Sequence, residues 1–241
     1  MTAAAEIVPG LYQLPGVSGA GCFLWRPAGG EGRGSTPILF DCGLPWSGRG
    51  LTASLVALGC DPEELEIIAI THDDIDHTGR LAPLQAVSGA TVVAHDLEAP
   101  RITGEQWRRP PLLGGPLGPI ARLLDRFYQT WPHRPVRVGL QVTDGALLPD
   151  GWIAVHTPGH TPGHASYFHQ RRGLLVAGDA VGRRGGRLRF PMAVYTEDRA
   201  AATRSIRKLA ELAPQVVVFG HGPALHDAAA PLREFAARLP Q

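Results

Sequence analysis

Four short stretches rich in histidine and aspartate constrain the fold of this 241-residue chain more than any other feature. Each one directly follows an apolar run of the kind that forms a buried β-strand. The stretches are THDDIDH (71–77), HTPGHTPGH (156–164), AGDA (177–180) and FGHG (219–222). Buried imidazoles and carboxylates need polar partners, and a divalent metal ion satisfies several of them at once. The pattern therefore predicts a fold that brings four strand ends to one metal site.

The apolar runs and turn signals predict an α/β fold with two groups of strands, each followed by helices. Helices are predicted at 49–59, at 79–88 and at 196–212, the last with Thr196 as its N-cap. No change of composition divides the chain, so we expect a single domain over residues 1–241. Residues 98–135 break the pattern with Pro, Gly, Trp and Arg, which indicates an insertion that forms a lid over one face.

Composition argues against several classes of function. The formal net charge of +1 gives no reason to expect a nucleic-acid partner, and no window approaches about 18 consecutive apolar residues, so we expect no membrane span. The N-terminus lacks a basic start and an apolar stretch, and Cys22, Cys42 and Cys60 form no CxxC pair. We therefore expect no signal peptide, a reducing cytoplasmic location and a small molecule as the partner.

The order of the motifs identifies a family resemblance. DCG (41–43), THxxxDHTG (71–79), TPGHTPGH (157–164), GDA (178–180) and FGHG (219–222) resemble the metallo-β-lactamase superfamily across nearly the whole chain. The resemblance implies an αββα sandwich, in which two mixed β-sheets pack face to face with helices on both outer sides. It also implies a pair of metal ions in the cleft between the sheet edges.

The resemblance also implies which residues bind the metal ions. The matching ligands are His72 and His160 for the first ion, Asp76, His77 and His221 for the second, and Asp179 as the bridge between them. Asp41 would orient a ligating histidine from behind, and His164 would take a supporting hydrogen-bonding role. Asp76 would also pass a proton to the leaving group.

Asp74 departs from the pattern, because most members of the superfamily have histidine at this position. Alternate residues of an extended loop point to one side, so Asp74 can reach a metal ion together with His72 and Asp76. We predict that Asp74 is a ligand; if it falls short, only one site is fully built. Its carboxylate would weaken the ions as Lewis acids. We expect two divalent ions, with zinc first and iron or manganese as the alternatives, since harder metals suit carboxylates.

These features predict a hydrolase in which a hydroxide shared by two metal ions attacks an activated carbonyl of a lactone, thioester or similar ester. Two alternatives stay open. The first is an iron-dependent dioxygenase of persulfide-type sulfur compounds, which occurs in this superfamily with a single iron. The second is a metal-binding protein with weak catalysis, because the third carboxylate damps the hydroxide.

Three residues are candidates for contact with the substrate. Tyr195 would replace a tyrosine that many lactonases of the superfamily carry three residues after the GD aspartate, where this chain has Gly182. Arg183 belongs to the arginine-rich loop that follows, and Trp107 belongs to the insertion. A solvated surface is the default interpretation of the arginines near both segments. The alternative is a cleft mouth under an aromatic lid that accepts an anionic small molecule.

Overall fold

The computed structural model describes residues 5–27, 36–106, 136–193 and 195–240. Trp107 and most of the insertion predicted at 98–135 lie outside the described residues. Among the helices in the described ranges, none combines the length and the apolarity needed to cross a membrane.

The described residues contain short strands and helices in alternating groups. The strands are β1 (Ala5–Val8), β2 (Leu11–Gln13), β3 (Phe23–Trp25), β4 (Ile38–Phe40), β5 (Ile67–Ala69), β6 (Thr91–His95), β7 (Val138–Val142), β8 (Trp152–His156), β9 (Ala165–His169), β10 (Leu174–Val176), β11 (Gly182–Arg184), β12 (Arg187–Arg189), β13 (Val216–Val218) and β14 (Leu225–His226). The α-helices are α1 (Gly48–Ala57), α2 (Ile75–Thr78), α3 (Leu81–Ser88), α4 (Ala99–Ile102), α5 (Arg199–Glu211) and α6 (Ala229–Ala237). Short 3-10 helices cover Pro45–Ser47, Pro62–Glu64, Pro149–Gly151 and Gln170–Arg172.

Two mixed β-sheets form the centre of the molecule. The first runs in chain order from β1 to β7; its strands pair antiparallel up to β4 and parallel from β4 onward. The second has the order β14-β13-β10-β9-β8, with a parallel pair between β10 and β13 and antiparallel pairs elsewhere. β11 and β12 form a separate hairpin. Parallel pairs in both sheets place several strand ends at the same edge, where loops can meet.

The two sheets pack face to face through one buried core. Trp25 and Phe40 of the first sheet contact Trp152 of the second, with ring centroids 5.5 and 4.7 Å apart. A second core lies between the first sheet and helices α1 and α3. A third core lies between the second sheet and helices α5 and α6. The predicted αββα sandwich is therefore confirmed.

Strand β5 shows why the first motif follows a continuous apolar run. Ile67 and Ala69 face the core between the sheets, whereas Ile68 and Ile70 face the helices. A parallel strand that is buried on both faces needs apolar residues at every position. The chain therefore becomes polar only after the strand ends, at the edge where THDDIDH begins.

Helix α5 begins later than the sequence predicted. Asp198 is its N-cap, and the Asp198 carboxylate accepts a hydrogen bond from the Ala201 backbone N–H at 2.9 Å. Thr196 as the N-cap is therefore wrong; its hydroxyl donates to the Met192 carbonyl oxygen instead. Hydrogen bonds from the backbone N–H groups of Glu197 and Asp198 to the loop before β9 hold this segment outside the helix.

Removing the observed cap gives a test of this helix start. Asp198→Ala is expected to lower the free energy of unfolding by about 1 kcal/mol, because it leaves a helix N–H unpaired. Thr196→Ala is the matched control and should change that free energy by less than about 0.5 kcal/mol. Urea unfolding followed by circular dichroism measures both. A larger effect from Thr196→Ala than from Asp198→Ala would contradict this assignment.

Candidate metal centre

The first cluster of candidate ligands consists of His72, Asp74 and His160. His72 and Asp74 lie in the loop after β5, and His160 lies in the loop between β8 and β9. One carboxylate oxygen of Asp74 is 3.3 Å from His72 Nε2 and 3.0 Å from His160 Nε2. One potential ligand atom from each residue lies within 4.8 Å of the others. The structure thus brings Asp74 to the two histidines that the resemblance assigns to the first ion.

The second cluster consists of Asp76, His77 and His221, again with potential ligand atoms within 4.8 Å of one another. His221 follows β13, and its Nε2 lies 3.3 Å from Asp76 Oδ2. Asp76 and His77 belong to α2, which begins at Ile75. The expectation that an extended loop carries residues 72, 74 and 76 on one side is therefore wrong for Asp76. Because the chain turns into α2 at Ile75, Asp74 lies in the first cluster and Asp76 lies in the second.

Asp179 lies between the two clusters. Its Oδ1 is 3.5 Å from His77 Nε2, and its Oδ2 is 3.4 Å from His221 Nε2 and 3.9 Å from His160 Nε2. Burial alone would raise the pKa of Asp179, but close contacts with the imidazoles of His221 and His77 hold it well below its usual value. Asp179 is therefore an ionised carboxylate within reach of both sets of imidazoles.

Gly220 has no side chain, and Asp179 occupies the space that a side chain at position 220 would need. A Cβ atom at position 220 would overlap Asp179 Oδ1 and would come within 2.9 Å of His77 Cε1. The Gly220 backbone is fixed from both sides, since its N–H donates to the Gly178 carbonyl oxygen and its own carbonyl accepts from Gly21. The glycine before His221 is thus required by the close approach of Asp179 and His77.

Asp41 supports His77 from behind. Asp41 Oδ2 lies 2.7 Å from His77 Nδ1, and the carboxylate also accepts hydrogen bonds from the Thr71 N–H and hydroxyl at 2.9 and 2.8 Å. This contact directs the other nitrogen of His77 toward Asp179. Burial alone would lower the pKa of His77, but the charges of Asp41 and Asp179 raise it well above its usual value.

His164 supports Asp179 in a similar way. Its Nε2 accepts a hydrogen bond from the Asp179 backbone N–H at 3.0 Å, and its Nδ1 lies 2.7 Å from the Thr157 hydroxyl oxygen. Burial lowers the pKa of His164 well below its usual value, so the ring is neutral and can accept. The second TPGH repeat therefore contacts the backbone of a candidate ligand.

The donor set fits divalent metal ions. Nε2 of His72 and Nε2 of His77 are buried, and neither makes a hydrogen bond of good geometry within the described residues. A carboxylate oxygen nevertheless lies 3.3 Å from the first and 3.5 Å from the second. Buried imidazole nitrogens that face carboxylates in this way are well suited to a shared cation. Imidazole and carboxylate donors together suit zinc, iron or manganese, and the roles of the individual ligands stay predictions.

The clusters open to solvent on the side of His221. The side chain of His221 is 53% exposed, whereas those of His72 and His77 are fully buried. Hydrogen bonds with Asp179 and Asp76 raise the pKa of His221 to about 10. Burial alone would raise the pKa of Asp76, but the hydrogen bond with His221 lowers it to about 2. The centre is therefore accessible from solvent past His221 and Asp76.

The candidate substrate residues lie in different settings. Tyr195 is 38% exposed, in the turn that precedes α5. The Arg183 guanidinium donates to the carbonyl oxygens of Pro223 and Ala224, which follow His221, so it contacts the loop beside the centre. Trp107 lies outside the described residues. Contact of these three side chains with substrate stays a prediction.

Glu98 lies beside this centre, which the sequence did not reveal, since Glu98 is only the first residue of the predicted insertion at 98–135. It is fully buried and contacts both loops that carry the first cluster. The available signal was weak: an acidic residue follows β6 at the sheet edge where the loop after β5 also emerges.

Comparisons with known proteins find related sequences and a related fold. A family model described as Metallo-beta-lactamase superfamily matches residues 31–221. The Bacillus subtilis protein named Probable metallo-hydrolase YflN is 31% identical over 201 residues, which cover 77% of this chain and 75% of that protein. The Haemophilus influenzae Hydroxyacylglutathione hydrolase GloC is 25% identical over 176 residues, or 66% of this chain and 69% of its own. A metallo-beta-lactamase family protein from Thermus thermophilus, TTHA1429, superimposes with a TM-score of 0.69 at 25% identity, covering 96% of this chain and 80% of the other.

Proposed function

Because this chain belongs to the metallo-β-lactamase superfamily, we propose that it is a metal-dependent hydrolase of an activated carbonyl in a lactone, thioester or similar ester. The observation that carries the proposal is the position of Asp179, within 3.9 Å of imidazoles from both clusters. A carboxylate placed in this way can hold two cations near each other. The relative named as a hydroxyacylglutathione hydrolase supports an acyl compound as the substrate.

Two divalent cations in these clusters would make hydroxide available near neutral pH and would polarise a carbonyl oxygen. In the proposed reaction the oxygen of water bonds to the carbonyl carbon, the bond to the leaving group breaks, and the leaving group takes a proton. Asp76 is suited to carry that proton, since its carboxylate lies on the open side of the centre beside His221. Asp41 and His164 keep His77 and the Asp179 backbone in place during the reaction.

Elemental analysis of protein expressed without added metal, followed by a hydrolysis panel, tests this proposal. We expect two divalent ions per chain and turnover of at least one lactone, thioester or ester by protein reloaded with zinc, manganese or iron. Full turnover after removal of all metal by a chelator would refute the proposal. Fully loaded protein that turns over nothing in the panel would favour a weakly catalytic metal-binding protein. Oxygen consumption with a persulfide would favour the dioxygenase.

The carboxylate of Asp74 gives the chain a distinct metal preference. Asp74 lies within 3.3 Å of imidazole nitrogens of His72 and His160, where a carboxylate favours harder cations than a third imidazole would. Asp74→His is therefore expected to raise the affinity for Zn2+ relative to Mn2+ by about tenfold, or about 1.4 kcal/mol. Calorimetric titration of the metal-free protein with each ion measures this ratio.

The control for Asp74→His is Glu63→His, which removes one negative charge at an exposed position in a 3-10 helix. This control should leave the ratio of zinc to manganese affinity unchanged. An unchanged ratio in Asp74→His itself would mean that Asp74 does not contact the cation.

A further inference from the structure

Glu98 is a fully buried carboxyl group near the metal centre but outside both ligand clusters. It lies between β6 and α4, and its backbone N–H donates to the His95 carbonyl oxygen at 2.9 Å. Burial of a carboxyl group is costly unless hydrogen bonds offset the loss of water. The partners of Glu98 therefore show what this residue does.

The two oxygens of the Glu98 carboxyl group contact the two loops that carry the first cluster. Its Oε1 accepts a hydrogen bond from the Asp73 backbone N–H at 2.8 Å, and Asp73 lies between His72 and Asp74. Its Oε2 accepts a hydrogen bond from the Thr161 hydroxyl at 3.0 Å, and Thr161 directly follows His160. Every residue of the first cluster is thus adjacent in sequence to a residue that Glu98 holds.

The glycine at position 163 is a second observation on the close contact between Glu98 and the loop before β9. A Cβ atom at position 163 would come within 2.5 Å of Glu98 Oε2 and would also overlap the Glu98 backbone nitrogen. The loop between β8 and β9 can therefore approach Glu98 closely only with glycine at this position.

The surroundings of Glu98 are closed and acidic. Burial raises the pKa of Glu98 well above its usual value, and the neighbouring Asp73 carboxylate raises it further, while Arg101 opposes both. The same Arg101 forms a bidentate pair with Glu197, at 2.8 and 3.3 Å, and the Glu197 backbone N–H donates to the His160 carbonyl oxygen. The segment that starts at Glu98 thus holds the His160 loop at two points.

We propose that Glu98 is a positioning residue for the first cation: by holding Asp73 and Thr161 it fixes Asp74 and His160 at the separation that one cation needs. This inference rests on the cation binding assumed in the proposed function. It assigns no contact between Glu98 and the cation itself. Asp41 supports the second cluster through a direct contact with His77, whereas Glu98 supports the first cluster through the residues beside its ligands.

Titration of the metal-free protein with Co2+, followed by calorimetry and visible absorption, tests the proposal. The wild type is expected to bind Co2+ in two steps. Glu98→Ala should weaken one step by about 10–100-fold, the range for residues that support a ligand from behind, and should alter the absorption bands of that step alone. Glu98→Gln should retain most of the affinity, because its amide can still accept from Asp73 and can donate to Thr161.

Glu63→Ala is the control for the loss of an acidic side chain, and both Co2+ steps should stay at wild-type affinity. Unchanged affinities in Glu98→Ala would overturn the positioning role. An equal loss in both steps, together with a lower melting temperature and no rescue by Glu98→Gln, would also overturn it, since that pattern indicates a purely structural residue. Absence of Co2+ binding by the wild type would refute the proposed function as well. If the wild type hydrolyses nothing but Glu98→Ala still loses affinity in one Co2+ step alone, the proposed function fails and the positioning role stays.

Discussion

Asp179→Ala is expected to abolish high-affinity cation binding and to lower hydrolysis by more than about a hundredfold. Asp179 lies within 3.9 Å of imidazole nitrogens of His77, His160 and His221, so we expect it to contact the cations directly. About a hundredfold loss is the upper end of the range for residues that only support a metal ligand, and the loss of a direct ligand should exceed it. Without the negative charge of Asp179, two cations bound in these clusters would repel each other more strongly. Metal content after dialysis and kcat/KM for the best substrate of the panel are the two measurements.

Asp179→Asn separates the loss of charge from the loss of shape, because the amide has nearly the same volume. It should bind cations almost as poorly as Asp179→Ala. Asp144→Ala is the matched control, since that side chain is 53% exposed and pairs with Lys208 outside the centre. If Asp179→Ala retains two cations at wild-type affinity, the two clusters do not share this carboxylate.

The strand-end motifs made much of the centre predictable from the sequence. Buried runs such as Ile67–Ala69 must end where the chain becomes polar, and His and Asp immediately after several such runs indicate a common edge. The resemblance then gave the order of the ligands. The first inference depends on local sequence alone, and the second on matching the order of the motifs to a known family.

Side-chain contacts between distant loops were not predictable in the same way. Glu98 follows β6 two residues after another acidic residue, Asp96, and no spacing links it to Asp73 or Thr161, although it contacts both. The turn into α2 at Ile75 also changes the directions of Asp74 and Asp76, because four helical residues replace the extended loop that the spacing suggested. Such contacts depend on packing between elements that are far apart in the sequence.

Local signals were ambiguous where two residues offered the same chemistry. Thr196 and Asp198 can both cap a helix, and the hydrogen bonds from Glu197 and Asp198 to the loop before β9 decide between them. The hairpin of β11 and β12 has glycine and arginine where strands usually alternate apolar and polar residues, so its pattern gave no prediction of strands.

The centre draws its candidate ligands from both sheets, so its geometry depends on how the sheets pack. The first sheet supplies the residues that follow β5, and the second supplies the residues that follow β8, β10 and β13. Contacts near the edge reinforce this packing: the Tyr167 hydroxyl donates to the Ile70 carbonyl oxygen at 2.8 Å, and the Ala165 N–H donates to the Thr71 carbonyl oxygen. The core between the sheets is therefore part of what holds the two clusters together.

Trp152→Ala is expected to lower the free energy of unfolding by about 3–5 kcal/mol and the melting temperature by roughly 6–20 °C. Trp152 is fully buried and packs against Trp25 and Phe40 of the opposite sheet, so its loss leaves a cavity between the sheets. Leu147→Ala removes a side chain that is 76% exposed and serves as the control, with an effect below about 0.5 kcal/mol. Added Zn2+ should still raise the melting temperature of Trp152→Ala, because binding stabilises whatever fraction of the chain is folded. A variant that unfolds at the wild-type temperature would show that Trp152 does not hold the sheets together.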